Sequence, residues 1–234
     1  MIKNTIKIAL VGQPNVGKSM LINSISNARL KVGNFSGVTV SKEQVFFDYK
    51  NFHIEIVDLP GAYSLNDYTI EEKVTKDFLN NEKYDIILNV LDSTNLQRNL
   101  LLTAELLTLD KKMIIALNMS DEAEKESILI DEIQLSKILG KPCIKTSAAK
   151  KSGITKLLDE ILLKFQSQKV PSKFFFSNVI EEEIENISRV LEENKYETTE
   201  TYRQISLGLL KENKNIYKQF HDEPIWIKIQ PILT

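Results

Sequence analysis

The chain is poor in the residues that build covalent or metal-held scaffolds. One cysteine in 234 residues, Cys143, cannot form an internal disulfide and fits a reducing compartment, where a small core residue is its simplest role. The two histidines, His53 and His221, sit beside no other metal-type ligands, so neither they nor Cys143 offer an iron site. No stretch approaches the ~18 consecutive apolar residues of a membrane helix. The best runs, at 8–11, 86–91 and 113–117, are short or interrupted, and the four-residue run at the start is too short for a signal peptide. These absences point to cytosolic placement. Charge of one sign is also missing: 30 basic against 32 acidic side chains leave -2, so no overall positive field recruits nucleic acid or anionic lipid.

What remains is ordinary for a globular protein, 42% hydrophobic and 26% charged, with enough length for one large domain and a small appendage. Seven of the eight glycines lie before residue 170, and Gly208 stands alone after it. Up to about residue 166 short apolar runs alternate with helical periodicity. The pattern predicts strands at 5–11, 44–49, 52–58, 84–91, 112–118 and 142–146. It predicts helices at 17–27, 71–80, 96–109, 131–139 and 154–165. Such alternation implies an α/β fold with a mostly parallel six-stranded sheet covered on both faces. Only two residues separate the second and third strands, so those two form an antiparallel pair at one edge. A linker at 167–173 leads to a small all-α domain at 174–234. There Ile180, Ile184, Ile187 and Leu191, and then Tyr202, Ile205, Leu209 and Leu210, recur at helical spacing. Periodicity leaves residues 225–233 open between strand and helix.

Directly after the first strand stands Gly12-Gln13-Pro14-Asn15-Val16-Gly17-Lys18-Ser19 and then an apolar helix. This is the strand–GxxxxGK[ST]–helix order of a P-loop. Glycines let the backbone wrap so that successive N–H groups face a β-phosphate. Lys18 adds a point charge for the β and γ phosphates, and the Ser19 hydroxyl suits Mg²⁺. A nucleoside triphosphate is the implied ligand.

Asn118-Met119-Ser120-Asp121 closes the fifth predicted strand, at the carboxyl edge where open α/β sheets bind ligands. A carboxylate there accepts two hydrogen bonds from guanine N1–H and its exocyclic amine, a donor pair adenine lacks, so Asp121 would select guanine. A helix N-cap is the plainer role for Asp121. Asn118 would brace the loop, and Thr146-Ser147-Ala148 would offer backbone N–H groups to guanine O6. Asp58-Leu59-Pro60-Gly61 ends the third strand: Asp58 can hold Mg²⁺ through water, and the Gly61 N–H can meet the γ-phosphate. In the segment between P-loop and strand, Thr39 is the candidate second hydroxyl ligand to Mg²⁺, or simply a β-branched residue after a turn. That segment, residues 30–39, has few apolar anchors and is expected to be mobile without triphosphate and Mg²⁺.

With these elements in order, residues 1–166 resemble a translation-factor-type GTPase domain, a P-loop G domain. The wording is similar to one family, ferrous-iron transport protein B (FeoB). VGNFSGVTV at 32–40, DLPGAYSLNDYTIEEKVTKDFL at 58–79 and ALNMSDEAEK at 116–125 carry the resemblance. It implies a slow GTPase converting GTP to GDP, with GTP/GDP, Mg²⁺ and K⁺ as ligands and two switch segments that change with nucleotide state. The nucleotide would touch residues 12–20 of the P-loop, Met20 included, then Gly37 and Thr39, Asp58 and Gly61, Asn118, Met119 and Asp121, and Ser147 and Ala148. Catalysis would draw on Asn15, Lys18, Thr39 and Gly61. Ala62 follows Gly61, so no glutamine orients the attacking water there. The resemblance offers K⁺ instead, held by Asn15 and by carbonyls matching Gly33 and Phe35; the plainer reading of Asn15 is a loop-shaping side chain. Met20 replaces a hydroxyl that usually reaches the α-phosphate, which weakens affinity without abolishing it.

In that family a small helical domain follows and then a membrane domain that conducts Fe²⁺. The resemblance therefore implies a cytoplasmic domain of an inner-membrane protein, with the transport domain and small cytosolic accessory proteins as partners. A ribosome- or RNA-associated assembly GTPase shares GxPNVGKS and DxPG, but calls for a basic RNA-binding module. Eleven acidic against eight basic side chains from residue 170 onward argue against one, so no nucleic-acid partner is expected. A nucleotide-dependent binding module with negligible turnover is the third reading.

Overall fold

The computed structural model describes residues 4–25, 29–35, 38–66, 68–168, 174–198 and 200–233. Its sheet has seven strands: β1 (Asn4–Gly12), β2 (Arg29–Asn34), β3 (Ser41–Tyr49), β4 (Phe52–Asp58), β5 (Ile86–Asp92), β6 (Met113–Asn118) and β7 (Cys143–Lys145), in the order β2-β3-β4-β1-β5-β6-β7. Every pairing from β4 to β7 is parallel, while β2–β3 and β3–β4 are antiparallel. The α/β class and the tight β3–β4 connection agree with the sequence, but the strand count rises from six to seven. Lys31-Val-Gly-Asn reads as a turn because it has no period-2 apolar pattern. It becomes a strand by pairing with β3, so β2 and not the β3–β4 pair forms the edge.

Alternation along β1 sorts the two cores. Ile6, Ile8 and Leu10 face α1 (Lys18–Asn23) and α6 (Ile154–Gln166), where Leu21, Leu157 and Ile161 are buried. Ala9 and Val11 face α2 (Ile70–Asn81) and α3 (Leu96–Leu107), meeting Phe78, Leu102 and Leu106. Strands β5 and β6 are buried almost throughout, the expected state of central parallel strands covered on both sides. Two short helices complete this part, α4 (Ser120–Lys125) and α5 (Glu132–Leu139). The first predicted helix runs only to Asn23 before a turn at Ser24, and α4 has no apolar period to announce it. Cys143 is buried and its thiol is pushed up to about 11 by burial, so it is an inert core residue.

After residue 177 come α7 (Asn178–Glu193), α8 (Tyr202–Leu210), α9 (Lys214–His221) and α10 (Trp226–Ile229), followed by a 3-10 turn at Gln230–Ile232. The stretch left open at 225–233 is therefore helical over 226–232. These helices bury their own cluster around Ile187, Leu191, Leu209 and Phe220. Their polar rim touches the α/β part: Lys211 Nζ reaches Glu105 Oε1 at 2.8 Å, and Asn213 Nδ2 donates to Asn66 Oδ1 at 2.9 Å. No helix among the described residues is long and apolar enough to cross a membrane.

Candidate nucleotide-binding site

The chain order places β4 and β5 on opposite sides of β1, so the crevice at the carboxyl end of β1 is a topological switch point. The P-loop stands there. A side chain at Gly12 would lie 2.6 Å from the Val90 carbonyl oxygen, and Gly17 has φ 84° with its missing Cβ position 2.5 Å from Asn118 Nδ2. Asn15 also takes a left-handed turn, φ 67°, with its side chain exposed. Gln13 is 4% exposed and donates from Nε2 to the Arg98 carbonyl at 2.8 Å, which ties the loop to α3. Beneath it Asn89 of β5 donates to the Val11 carbonyl and accepts from Thr103 Oγ1 at 2.7 Å, a buried polar support. Lys18 opens α1; burial pulls its ammonium below the usual lysine range while Asp58 opposes the shift.

Asp58, at the end of β4, is the counterpart. Burial pushes its carboxyl up to about 6; the Lys18 cation opposes this, and Glu43, its register partner on β3, adds to it. Asp58 Oδ1 is buried with no hydrogen-bond partner among the described residues. A buried carboxylate oxygen with nothing to accept is unfavourable by itself and fits a water held by a hard cation. The exposed Ser19 hydroxyl on α1 makes no hydrogen bond to the described residues, so this pair fits Mg²⁺.

The loops that follow β6 and β7 are already tied together. Asn118 is 1% exposed; its Nδ2 donates to the Val16 carbonyl at 2.9 Å, while Oδ1 accepts from the Ala148 N–H at 3.1 Å and Thr146 Oγ1 at 3.3 Å. One amide thus joins the P-loop to the loop after β7. Met119 caps α4 in a left-handed turn, φ 57°, and brings Asp121 into the first turn of α4. A hydrogen bond from Ser147, with Lys150 Nζ 3.5 Å away, holds the Asp121 carboxyl below the usual carboxylate range. The N–H groups of Ser147 and Ala148 are already spent, on Ser152 O at 3.1 Å and on Asn118, so a guanine O6 would have to share them.

The Asp58–Gly61 turn and the Thr39 segment differ. Gly61 packs on Pro14, where a Cβ would sit 3.0 Å from the ring and backbone, and the Ala62 N–H donates to the Gly12 carbonyl at 3.3 Å. Glu72 of α2, 5% exposed, accepts from the Ser64 and Tyr68 N–H groups at 3.1 and 3.2 Å, while Thr69 caps the helix on Glu72 N–H. Arg98 lies over the Tyr63 ring at 4.6 Å. The other segment is folded away: Gly33 is paired opposite Lys42 in the edge strand β2, Phe35 is buried, and Thr39 is exposed with no bond to Ser19 or Asp58 among the described residues. Phe35, with the half-buried Val38 and Val40, anchors it on the core, which corrects the expectation of few apolar anchors. Gly37 lies outside the described residues.

Gln13, Pro14, Val16, Gly17, Lys18, Asp58, Gly61 and Asn118 are thus brought together, whereas Gly33 is held in the edge strand β2, Phe35 is buried just after it, and Thr39 bonds to neither Ser19 nor Asp58 among the described residues. Sequence reasoning missed Asn89, Arg98, Lys150 and Glu72. Only Glu72 had a local signal, a threonine three residues earlier; the others act across 14 to 85 residues of chain. Among the described residues no group of three or more His, Cys, Asp or Glu could hold a metal.

Residues 6–161 match the family model of ferrous iron transport protein B. The Fe(2+) transporter FeoB of Campylobacter jejuni is 53% identical over 75% of this chain and 29% of its own, and that of Helicobacter pylori strain 26695 is 58% identical over 73% and 28%. The chain thus matches less than a third of the length of these curated relatives. The solved cytosolic domain of the T. maritima FeoB iron transporter superposes with TM-score 0.85 in a GDP form (31% identity, 98% of this chain, 93% of that one). In its GMPPNP form the TM-score is 0.79 (30% identity, 97% of both).

Proposed function

Because the chain belongs to the ferrous iron transport protein B family, we propose that it is a guanine-nucleotide-binding GTPase module that regulates an attached Fe²⁺ transporter from the cytoplasmic face of the membrane. The observation that carries this is the Asn118 amide, whose three hydrogen bonds hold the P-loop and the base loop in one frame beside an ionised Asp121. The GDP and GMPPNP forms of the T. maritima protein support a guanine triphosphate as ligand.

Lys18 and the P-loop amides would neutralise and orient the phosphates. Ser19 and Asp58 would hold Mg²⁺, which supplies further charge neutralisation, and Thr39 would join them once its segment closes. Ala62 places no side chain to orient water, so turnover is slow. Asn15 with the Gly33 and Phe35 carbonyls would hold K⁺ only after β2 leaves its ladder. Loss of the γ-phosphate would return Ala62 N–H to the Gly12 carbonyl, where it lies here. The unit formed by α7 to α10 would read that movement through Asn66 and Glu105.

Calorimetry tests the reading. GDP binds more tightly than ADP, and Asp121→Asn lowers GDP affinity ~30–200-fold, about 2–3 kcal/mol, while raising affinity for xanthosine diphosphate. Equal affinity for ADP and GDP would refute it. Equal GTP turnover in K⁺ and Na⁺ buffers would remove the K⁺ role alone.

A further inference from the structure

Phe35 lies two residues beyond Gly33 and four before Thr39, in a stretch of polar and glycine residues, yet its side chain is 8% exposed. Its ring meets Phe78 of α2 edge-on, with centroids 6.1 Å apart and planes at 84°. Lys42 Nζ stands 5.6 Å from the Phe35 centroid and 5.7 Å from that of Phe78, so one ammonium serves both rings. The Phe35 N–H donates to the Val40 carbonyl at 3.0 Å, closing the hairpin whose strands pair from Arg29–Phe46 to Asn34–Ser41. Beside the ring is a cavity of about 440 Å³ lined by Phe35, Val38, Lys42, Ile70, Val74 and Phe78. Phe35 is one wall of this space rather than a plug within it, so the ring can leave without unpacking α2.

Two facts make the position consequential. The edge strand β2 is three strands from β1, roughly 14 Å at about 4.8 Å per strand, so residues held there stand apart from the P-loop. And α2 also holds the Asp58–Gly61 turn, through Thr75 Oγ1 donating to the Pro60 carbonyl at 3.0 Å. We propose that Phe35 is a latch between the two switch segments: seated on Phe78, it keeps residues 29–35 in the sheet edge, and triphosphate binding must draw it out. The latch rests on the reading of residues 31–40 as a switch segment. A ligand that binds only the released form pays for the release in affinity, and one indifferent to it does not. GDP, lacking the γ-phosphate, is the indifferent ligand.

The test compares the 234-residue chain with Phe35→Ala and Phe35→Leu in Na⁺ buffer with Mg²⁺, by calorimetry with GDP and GMPPNP and by hydrogen exchange. In Phe35→Ala the ratio of GMPPNP to GDP affinity rises ~10-fold, and in the gentler Phe35→Leu ~3-fold. In the GDP-bound variants the amides of β2 lose protection while those of β1 and β4 keep theirs. A purely structural role would weaken both nucleotides together, so a ratio within twofold of the unsubstituted chain overturns the latch, as does undiminished β2 protection. Should Phe35→Ala not fold, Phe35→Leu decides by the same ratio. An unsubstituted chain that binds neither nucleotide removes the reading beneath the latch; normal binding with an unmoved ratio removes the latch alone.

Discussion

The two ends of the crevice are built to different standards. At the end proposed for the base both side-chain polar atoms of Asn118 are used, and the Ser147 and Ala148 amides have partners. At the proposed phosphate end Asp58 Oδ1 has none among the described residues, Lys18 is partly desolvated, and Thr39 is exposed between β2 and β3. Satisfied groups cost little to keep in one geometry, whereas an orphaned buried carboxylate stores a penalty that a cation or a proton relieves. On the proposed reading, the end that would select the base is therefore already fixed in the ligand-free fold, and the phosphate end is completed by what binds.

The sharpest challenge to that contrast is Asn118→Ala. It strands the Val16 carbonyl and the Ala148 N–H, an effect of about 2–4 kcal/mol, so GDP affinity falls ~30–1000-fold. Melting of the ligand-free chain drops by roughly 5–15 °C. A loss of affinity with unchanged melting temperature would mean the frame does not depend on this side chain.

Asp58 makes the smaller second case. Its folded value, about 6, lies above the ordinary carboxylate range, so the folded state binds a proton that the unfolded state releases. The contribution of this group to stability therefore rises as pH falls from about 6 toward about 4, and is flat above about 7. A Mg²⁺ held as proposed would work the other way, because it needs the ionised form. The gain in nucleotide affinity from Mg²⁺ shrinks about tenfold per pH unit below about 6, and Asp58→Asn abolishes both the gain and its pH dependence. A gain that is constant from pH 7 to pH 5 would place the metal elsewhere.

Met20→Thr is the mildest. Met20 is exposed at 54% on the first turn of α1, and a hydroxyl there adds one contact toward an α-phosphate. Affinity for GDP and GMPPNP should improve equally by about 0.5–1.5 kcal/mol, ~2–10-fold. An effect on only one nucleotide would tie this position to the switching end.

Motifs whose chemistry acts within a few residues were legible from the chain: the P-loop glycines, the lysine and hydroxyl beside them, the Asp58–Gly61 turn, and the Asn118 to Asp121 spacing. The alternation of strand and helix was equally plain, because burial on both faces of a parallel sheet demands continuous apolar runs such as Ile86–Leu88 and Met113–Leu117. Local pattern could not announce β2, whose residues become a strand only because β3 offers a ladder. Nor could it show that Phe35 turns inward onto Phe78, 43 residues away, or that Gln13 is held by a carbonyl on α3. Residue type and spacing determine which groups can meet a phosphate or a purine. Which of them stand ready, and which are held back at the sheet edge, depends on packing between segments distant in the chain, since burial and hydrogen bonding there exist only once those segments meet.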